Sequence, residues 1–221
     1  MQCSVSVWYC LIVAGNVAEI SDAMGRDANI VLEKAALRAI MMARRRSIPE
    51  KLRLEMSRVI AGYVMDMPEV VKAHHVSLYL TIASHAEVFT TPILEALART
   101  EKQLSVPVIR DGDLFSVAFH HGDALRCSPF GLSEPKDIRM VCEQDIHIVL
   151  LPLLAIDGRG FRLGYGKGYY DRFLERISAG GSHPFRIGLS FTRQMVDELP
   201  VDPWDEPLDA VVHEGGVLRF T

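Results

Sequence analysis

The spacing of apolar residues changes along the chain from a helical period to a strand period and back again. Two helices are predicted first, over about 30–46 and from Pro49 to about 66, because apolar side chains recur there every three to four positions. A third helix is predicted over 91–99, where Thr91 and Pro92 supply the cap and the first-turn residue.

Strands are predicted between these helices and after them. Alternating apolar positions over 76–82 indicate one strand. Short apolar runs bounded by turn residues predict the others, over 104–109, 114–119, 145–151, 185–189, 209–212 and 217–220. The run at 145–151 is almost entirely apolar, as expected of a strand covered on both faces in a parallel sheet. Strands that alternate with helices predict an α/β domain with helices on both faces of the sheet.

The predicted topology places two loops near one edge of the sheet. In sheets of this kind, ligands bind beyond the carboxyl ends of the strands. The strand that ends near Leu151 leads to a glycine-rich segment, and the strand that ends near Ile82 leads to the 83–90 loop. If the two strands are parallel, both loops lie at the same edge. The segment 128–135 has the composition of another loop.

The glycine-rich segment carries the strongest chemical signal. From Arg162 to Asp171 the chain reads Arg-Leu-Gly-Tyr-Gly-Lys-Gly-Tyr-Tyr-Asp, and an amphipathic helical pattern follows at once. Glycine allows backbone N–H groups to converge on one point, and a helix N-terminus adds unpaired N–H groups and a partial positive charge. Lys167 and Arg162 add full charges, so the segment predicts a phosphate site. Asp171 falls in the first helical turn, where a carboxylate can hold a metal ion.

Two familiar phosphate motifs do not describe this segment. A Walker A loop requires Ser or Thr after the lysine, but Gly168 follows Lys167. A dinucleotide fingerprint requires a third glycine where Tyr169 stands. A tight connection between a strand and a helix is the structural alternative, although it leaves the Lys, Arg and Tyr residues unexplained.

Composition and charge narrow the class of protein. The chain has 221 residues, of which 49% are hydrophobic, and a net charge of −4, which argues against a nucleic-acid-binding protein. The four cysteines show no metal-site or disulfide spacing and fit a reducing cytoplasm. Residues 1–25 are predicted to be a peripheral N-terminal extension, and the main domain covers 26–221. The apolar run at 5–14 is too short to span a bilayer, so a membrane anchor is disfavoured.

The first predicted helix also carries a basic row. Lys34, Arg38 and Arg45 share one helical face, and such a row is typical of a solvated surface.

These features resemble the 5-formyltetrahydrofolate cyclo-ligase family, also called methenyltetrahydrofolate synthetases, over about residues 30–215. The most specific part is Leu163-Gly-Tyr-Gly-Lys-Gly-Tyr-Tyr-Asp171, preceded by Pro152 and Asp157. The supporting motifs occur in the same order as in the family and are Lys34-Ala-Ala-Leu-Arg38, Tyr79-Leu80 with Glu87 and Thr90, Phe130-Gly131 with Glu134-Pro135, and Leu208-Asp209. The resemblance implies a single three-layer α/β/α domain with a mostly parallel, Rossmann-like sheet and an N-terminal helical pair.

The resemblance also implies an activity and a set of site residues. The family's enzymes use Mg-ATP to convert 5-formyltetrahydrofolate to 5,10-methenyltetrahydrofolate, with release of ADP and phosphate. The implied ATP-binding residues are Lys34, Ala35, Ala36, Leu37, Arg38, Arg162, Leu163, Gly164, Tyr165, Gly166, Lys167, Gly168, Tyr169 and Tyr170, with Lys167 and Arg162 acting on the transferred phosphoryl group. The implied folate contacts are Leu80, Glu87, Tyr165, Gly166, Lys167, Gly168 and Tyr169. Magnesium is expected at Asp171 and Asp209.

Some positions depart from the family pattern. Phe89 stands where many members have an acidic residue, which leaves the folate contacts less defined than the ATP contacts. Trp204 stands where many bacterial members have histidine.

The implied partners are small molecules, namely ATP and a reduced folate, with no nucleic acid, no membrane and a monomeric state expected. No Ser or Cys lies in a recognisable nucleophile pattern, so covalent catalysis is disfavoured. A small-molecule kinase and a nucleotide-binding regulatory module remain as alternatives, and product analysis would separate them.

Overall fold

The computed structural model describes residues 26–128, 132–203 and 205–220, so the extension predicted over 1–25 lies outside the described residues. The helices are α1 (Arg26–Arg46), α2 (Glu50–Asp66), α3 (Pro68–Lys72), α4 (Thr91–Leu97) and α5 (Tyr169–Ala179). The first strands are β1 (His75–Leu78), β2 (Gln103–Arg110), β3 (Asp113–Ala118), β4 (Leu125–Cys127), β5 (Ser133–Pro135) and β6 (Ile148–Pro152). The remaining strands are β7 (Ala155–Asp157), β8 (Arg162–Leu163), β9 (Phe185–Leu189), β10 (Met195–Val196), β11 (Ala210–His213) and β12 (Gly216–Arg219).

A seven-stranded sheet forms the centre of the fold, in the order β12-β11-β9-β6-β1-β2-β3. Its five inner strands are parallel, and the two edge strands β3 and β12 are antiparallel to their neighbours. The predicted α/β class with a mostly parallel sheet is therefore confirmed. Val76 of β1 pairs with Ile148 of β6 in parallel register, so the loops that follow these two strands lie at the same edge.

Alternation along β6 produces the two faces of the sheet. Ile148 and Leu150 pack into a core with α2 and α4, whereas Val149 and Leu151 pack on the other side with α5. All four side chains are buried, as the apolar run at 145–151 predicts, and each stabilises the fold by about 1.5–3 kcal/mol through burial. Helices therefore cover both faces, which gives the three-layer arrangement.

The two N-terminal helices pack on different sheets. α2 covers the large sheet, whereas α1 lies against a small three-stranded sheet in the order β10-β7-β8. Met41 of α1 is fully buried there against Leu154 and Leu163. Along the chain, β7 and β8 of the small sheet lie between the end of β6 and the glycines. Because α1 packs on this small sheet, it lies near those glycines and not in the main core.

Three sequence-based expectations are wrong in detail. The first helix includes residues from Arg26 onward instead of beginning near residue 30. The segment 128–135 is not only a loop, because β5 pairs with β4 as a hairpin, and an edge strand tolerates Pro135. The chain does not pass directly from β6 to the glycines of that segment, because β7 and β8 come before Gly164. Phe130 and Gly131 lie outside the described residues.

Within the described ranges, no helix is both long enough and apolar enough to cross a lipid bilayer.

Gly188 in β9 offers a test of the core packing on the face of the sheet that α5 covers. A methyl group there would lie 2.6 Å from side-chain atoms of Leu153 and Leu208. We expect Gly188→Ala to lower the free energy of unfolding by about 1–3 kcal/mol, since an overpacked core must shift. Gly62→Ala in α2 is the matched control, because nothing lies within 4 Å of the added methyl group. That variant should be stabilised by about 0.5–1 kcal/mol. Urea unfolding of both variants measures the difference, and equal effects would contradict the packing.

Candidate active site

A cavity of about 490 Å³ opens at the carboxyl ends of β1 and β6. One wall comes from the glycine loop, defined here as residues 164–168, together with the first turn of α5. Other lining residues come from α1, the 79–87 segment and the ends of β2 and β3. The lining residues central to the site are Lys34, Arg38, Leu80, His85, Glu87, Arg162, Leu163, Gly164, Tyr165, Gly166, Lys167, Gly168, Tyr169, Tyr170, Asp171, Asp205 and Glu206.

The glycine loop presents free backbone N–H groups. Gly166 and Gly168 adopt left-handed conformations, with φ of +86° and +66°, which only glycine adopts without strain. Among the described residues, no acceptor is hydrogen-bonded to the N–H groups from Gly164 to Gly168. Two of the loop's carbonyls, in contrast, accept hydrogen bonds from arginines. Gly164 accepts from Arg38 at 3.0 Å, and Lys167 accepts from Arg172 at 3.1 Å.

The cations around the cavity differ in how they are held. The exposed Lys167 ammonium has no partner among the described residues. Arg162 is largely buried and donates a hydrogen bond to Asp171. Lys34 is held by two carboxylates, Asp202 at 2.6 Å and Asp205 at 2.5 Å. Lys167 is therefore a free cation, whereas Arg162 and Lys34 are fixed in direction.

Lys34 remains charged because its acidic partners outweigh its burial. Burial by itself lowers the pKa of Lys34, but the hydrogen bonds and negative charges of Asp202 and Asp205 raise that pKa above its ordinary value. An ammonium group has three N–H donors, of which these contacts use two. One donor is left for a ligand oxygen.

A buried hydrogen-bond relay forms the floor of the cavity. Arg45 is 1% exposed and donates to the Tyr165 hydroxyl at 2.6 Å. Since that oxygen accepts from a guanidinium, it donates its own hydrogen to Glu87, which is 2% exposed. The second carboxylate oxygen of Glu87 accepts the backbone N–H of Ile82 at 2.9 Å. The His85 ring stacks on Tyr165 with 4.8 Å between centroids.

The relay fixes the protonation state of its tyrosine. Burial, together with the negative charge of Glu87, raises the pKa of Tyr165 well above its ordinary value. The same causes raise the pKa of Tyr170. Tyr165 therefore stays a hydrogen-bond donor, and Glu87 remains able to accept further hydrogen bonds from a ligand in the cavity.

The structure brings most of the predicted site residues together. All of the predicted positions from Arg162 to Asp171 line the cavity, as do Lys34, Arg38, Leu80 and Glu87. Between Lys34 and Arg38, which share a helix face, the residues Ala35, Ala36 and Leu37 do not line it.

Asp209 lies apart from the cavity. Its carboxylate accepts hydrogen bonds from Arg186, at 3.0 Å to Nε and 3.1 Å to a terminal nitrogen, and also from the backbone N–H of that residue. Only Asp171 of the two predicted metal ligands lines the cavity. Within the described part of the chain, no group of three or more His, Cys, Asp or Glu residues could hold a metal ion. A magnesium ion held at Asp171 would therefore take most of its ligands from phosphates and water.

The basic row on α1 is not a solvated face, which is the usual place of such a row. Arg45 is buried because α1 packs over the glycine loop, and Lys34 and Arg38 line the cavity. The sequence feature that indicates this is the spacing of seven residues between Arg38 and Arg45, which places both on one face.

Three other positions complete the comparison with the sequence. No sequence feature indicates that His85 belongs to the site. Phe89 does not line the cavity, and its ring lies 5.3 Å from the Arg53 guanidinium. Trp204 lies outside the described residues.

Comparisons of sequence show strong similarity to one group of enzymes. Residues 31–214 match the model of the 5-formyltetrahydrofolate cyclo-ligase family. The 5-formyltetrahydrofolate cyclo-ligase of Escherichia coli K12 is 35% identical over 182 residues, covering 80% of this chain and 98% of that enzyme. The mitochondrial 5-formyltetrahydrofolate cyclo-ligase of Arabidopsis thaliana is 27% identical over 216 residues, covering 87% of this chain and 78% of that enzyme.

Comparisons of structure agree with those of sequence. The NMR structure of the 5,10-methenyltetrahydrofolate synthetase from Aquifex aeolicus matches with a TM-score of 0.74 at 32% identity, covering 84% of this chain and 92% of that one. A 5,10-methenyltetrahydrofolate synthetase from Mycoplasma pneumoniae shares the fold, with a TM-score of 0.65 at 23% identity, covering 82% and 99%. The residues that match the family model include every residue that lines the cavity.

The buried relay generates a stability prediction. We expect Arg45→Met to lower the free energy of unfolding by about 3 kcal/mol, because the buried carboxylate of Glu87 loses its compensating charge. Arg44→Met, one position earlier and exposed, should change it by less than about 0.5 kcal/mol. When Arg45→Met is combined with Tyr165→Phe, the total loss of stability should be smaller than the sum of the two single losses, since both variants break the same relay. Urea unfolding provides the measurement, and full additivity would show that the relay is not a unit.

Proposed function

We propose, because the chain belongs to the 5-formyltetrahydrofolate cyclo-ligase family, that it uses ATP to convert 5-formyltetrahydrofolate to 5,10-methenyltetrahydrofolate, ADP and phosphate. The observation that carries the proposal is the composition of one cavity. The free N–H groups of the glycine loop and the Lys167 ammonium line the same space as the buried carboxylate of Glu87. A site for phosphate therefore adjoins a site that accepts hydrogen bonds from a polar ring.

The reaction needs activation of a poor leaving group. In the proposed mechanism the γ-phosphoryl group of ATP is transferred to the formyl oxygen, and ADP leaves. The anilino nitrogen of the folate then attacks the formyl carbon, loses its proton and closes the ring. The carbon–oxygen bond breaks, and the formyl oxygen departs as part of phosphate. Phosphoryl transfer of this kind depends chiefly on positioning and on neutralisation of charge.

The glycine loop and α1 supply the phosphate end of the site in this proposal. Lys167 is free to follow the charge that moves onto the transferred group, while the loop N–H groups hold the phosphate oxygens. Arg38 reaches the loop from α1, and its terminal nitrogens make no hydrogen bond with the described residues. Lys34 offers its one remaining donor, and Arg162 adds a second fixed charge.

Magnesium enters the proposal as the counter-ion of ATP. Asp171 lies on the cavity wall at the start of α5 and is 67% exposed, so one carboxylate oxygen can face a hydrated ion. When bound, the ion would neutralise phosphate charge and orient the γ-phosphoryl group. Asp209 is engaged by Arg186, so the proposal gives it no contact with the ion.

Glu87 and Tyr165 form the folate end of the proposed site. An ionised carboxylate is an acceptor only, and it suits the adjacent N–H donors of a pterin ring. Leu80, Tyr165 and His85 line the cavity beside Glu87 and offer apolar surface for the same ring. The reaction requires no nucleophile from the protein, and we place it in a monomer within a reducing cytoplasm.

The test is an assay with the purified chain, Mg-ATP and 5-formyltetrahydrofolate. We expect the absorbance band of the methenyl product to appear with one phosphate released per turnover. A phosphorylated acceptor without a methenyl band would indicate a small-molecule kinase instead. ATP binding without turnover in the presence of the folate would indicate a regulatory module.

Lys167→Ala tests the phosphate end of the site. We expect kcat/KM for ATP to fall by about 30- to 1,000-fold, because loss of a charge that acts on the transferred phosphoryl group costs about 2–4 kcal/mol of transition-state stabilisation. Thermal unfolding should be unchanged, since the ammonium touches no described residue. Lys51→Ala, which removes an exposed ammonium from α2, is the control and should keep wild-type kinetics. Normal turnover by the Lys167 variant would contradict the assignment.

A further inference from the structure

Arg172 uses every nitrogen of its guanidinium group on two neighbouring segments. On one side it donates to the Lys167 carbonyl at 3.1 Å, and its guanidinium lies 5.4 Å from the Tyr169 ring centroid. On the other side it donates to Asp113 at 2.8 Å and to the Gly112 carbonyl at 3.0 Å. Arg172 therefore links the glycine loop to the turn between β2 and β3.

This contact fixes the direction of one peptide unit in the glycine loop. A trans peptide is planar, so its C=O and N–H groups point in opposite directions. When Arg172 holds the Lys167 carbonyl, the N–H of Gly168 points away from Arg172. Gly168 lines the cavity and Arg172 does not, and no described residue accepts that N–H. The left-handed conformation of Gly168 also leaves only 3.0 Å between its missing Cβ and Arg172.

We propose that Arg172 is a positioning residue for nucleotide phosphate, which acts by holding the Lys167 carbonyl and so directs the Gly168 N–H into the cavity. The inference rests on the proposed function, because it concerns the phosphate end of the same site. Arg172 does not itself contact the nucleotide. Loss of Arg172 therefore weakens the binding of ATP. The folate end of the site, which is built on Glu87 and Tyr165, does not depend on Arg172.

Calorimetric titration of each variant with Mg²⁺ and a non-hydrolysable ATP analogue tests this role whether or not the enzyme turns over. We expect Arg172→Ala to raise the dissociation constant about tenfold, as the loss of an oriented, charge-assisted contact predicts. Asp113→Ala, which removes the anchor and leaves Arg172 in place, should raise it about threefold. Arg58→Ala, an exposed arginine on α2, is the matched control and should bind as the wild type does.

Two further readouts separate positioning from other roles. Arg172→Lys keeps the charge but loses the planar fork, so we expect it to bind nearly as weakly as Arg172→Ala. Wild-type affinity in the Arg172→Lys variant would show that a positive charge at this position suffices without the contacts of the planar fork. That result would overturn the proposal. In turnover, KM for ATP should rise while KM for 5-formyltetrahydrofolate stays within about twofold, whereas a general loss of structure would raise both.

The failure of this inference can be told from the failure of the proposed function. Wild-type binding of the analogue by Arg172→Ala would overturn the positioning role, even if the wild-type chain makes the methenyl product. A wild-type chain that binds the analogue but makes no product would contradict the proposed function alone. A wild-type chain that does not bind the analogue would overturn both.

Discussion

The arrangement of the site depends on one buried guanidinium group, which must have hydrogen-bond acceptors around it. Arg45 is removed from water, so its charge is tolerated only where acceptors surround it. It donates to the carbonyls of Leu153 and His85 and to the Tyr165 hydroxyl. These acceptors belong to the segment after β6, to the turn after β1 and to the glycine loop. A single side chain from α1 therefore holds the three segments in one arrangement, and Glu87 completes the balance of charge.

The glycine loop is also held by arginine side chains that bind its hydrogen-bond acceptors. Arginine side chains hold the carbonyls of Gly164 and Lys167 and the hydroxyl of Tyr165, so these three acceptors of the loop are used within the protein. The N–H groups have no such partners among the described residues. Because each peptide unit has two opposite sides, anchoring one side leaves the other available to a ligand. Glycine is needed at 166 and 168, where φ is positive and an arginine lies against the backbone.

The sequence predicts the parts of this molecule that depend on local periodicity and composition. The strands at 145–151 and 185–189 and the glycine loop were identified because burial on two faces and backbone flexibility leave direct marks on residue choice. β7, β8 and β10 were missed, since strands of two or three residues are too short to show a period. The inward direction of Arg45 was also missed. A basic side chain on a helix shows the same pattern whether it faces water or a buried carboxylate, and only the packing of α1 decides between them.

The placement of charge in the cavity bears on how the proposed nucleotide would bind there. Lys34 and Arg162 are each paired with carboxylates, so part of the positive charge of the cavity is compensated within the protein. Those pairs limit repulsion among the cations, and they keep the two side chains pointing into the cavity. A polyphosphate then gains from the unpaired Lys167 and the loop N–H groups, while Asp171 and Asp205 would repel it. If the chain uses ATP as proposed, a divalent cation held at Asp171 would offset that repulsion, and the site would then favour ATP that carries its metal over ATP alone.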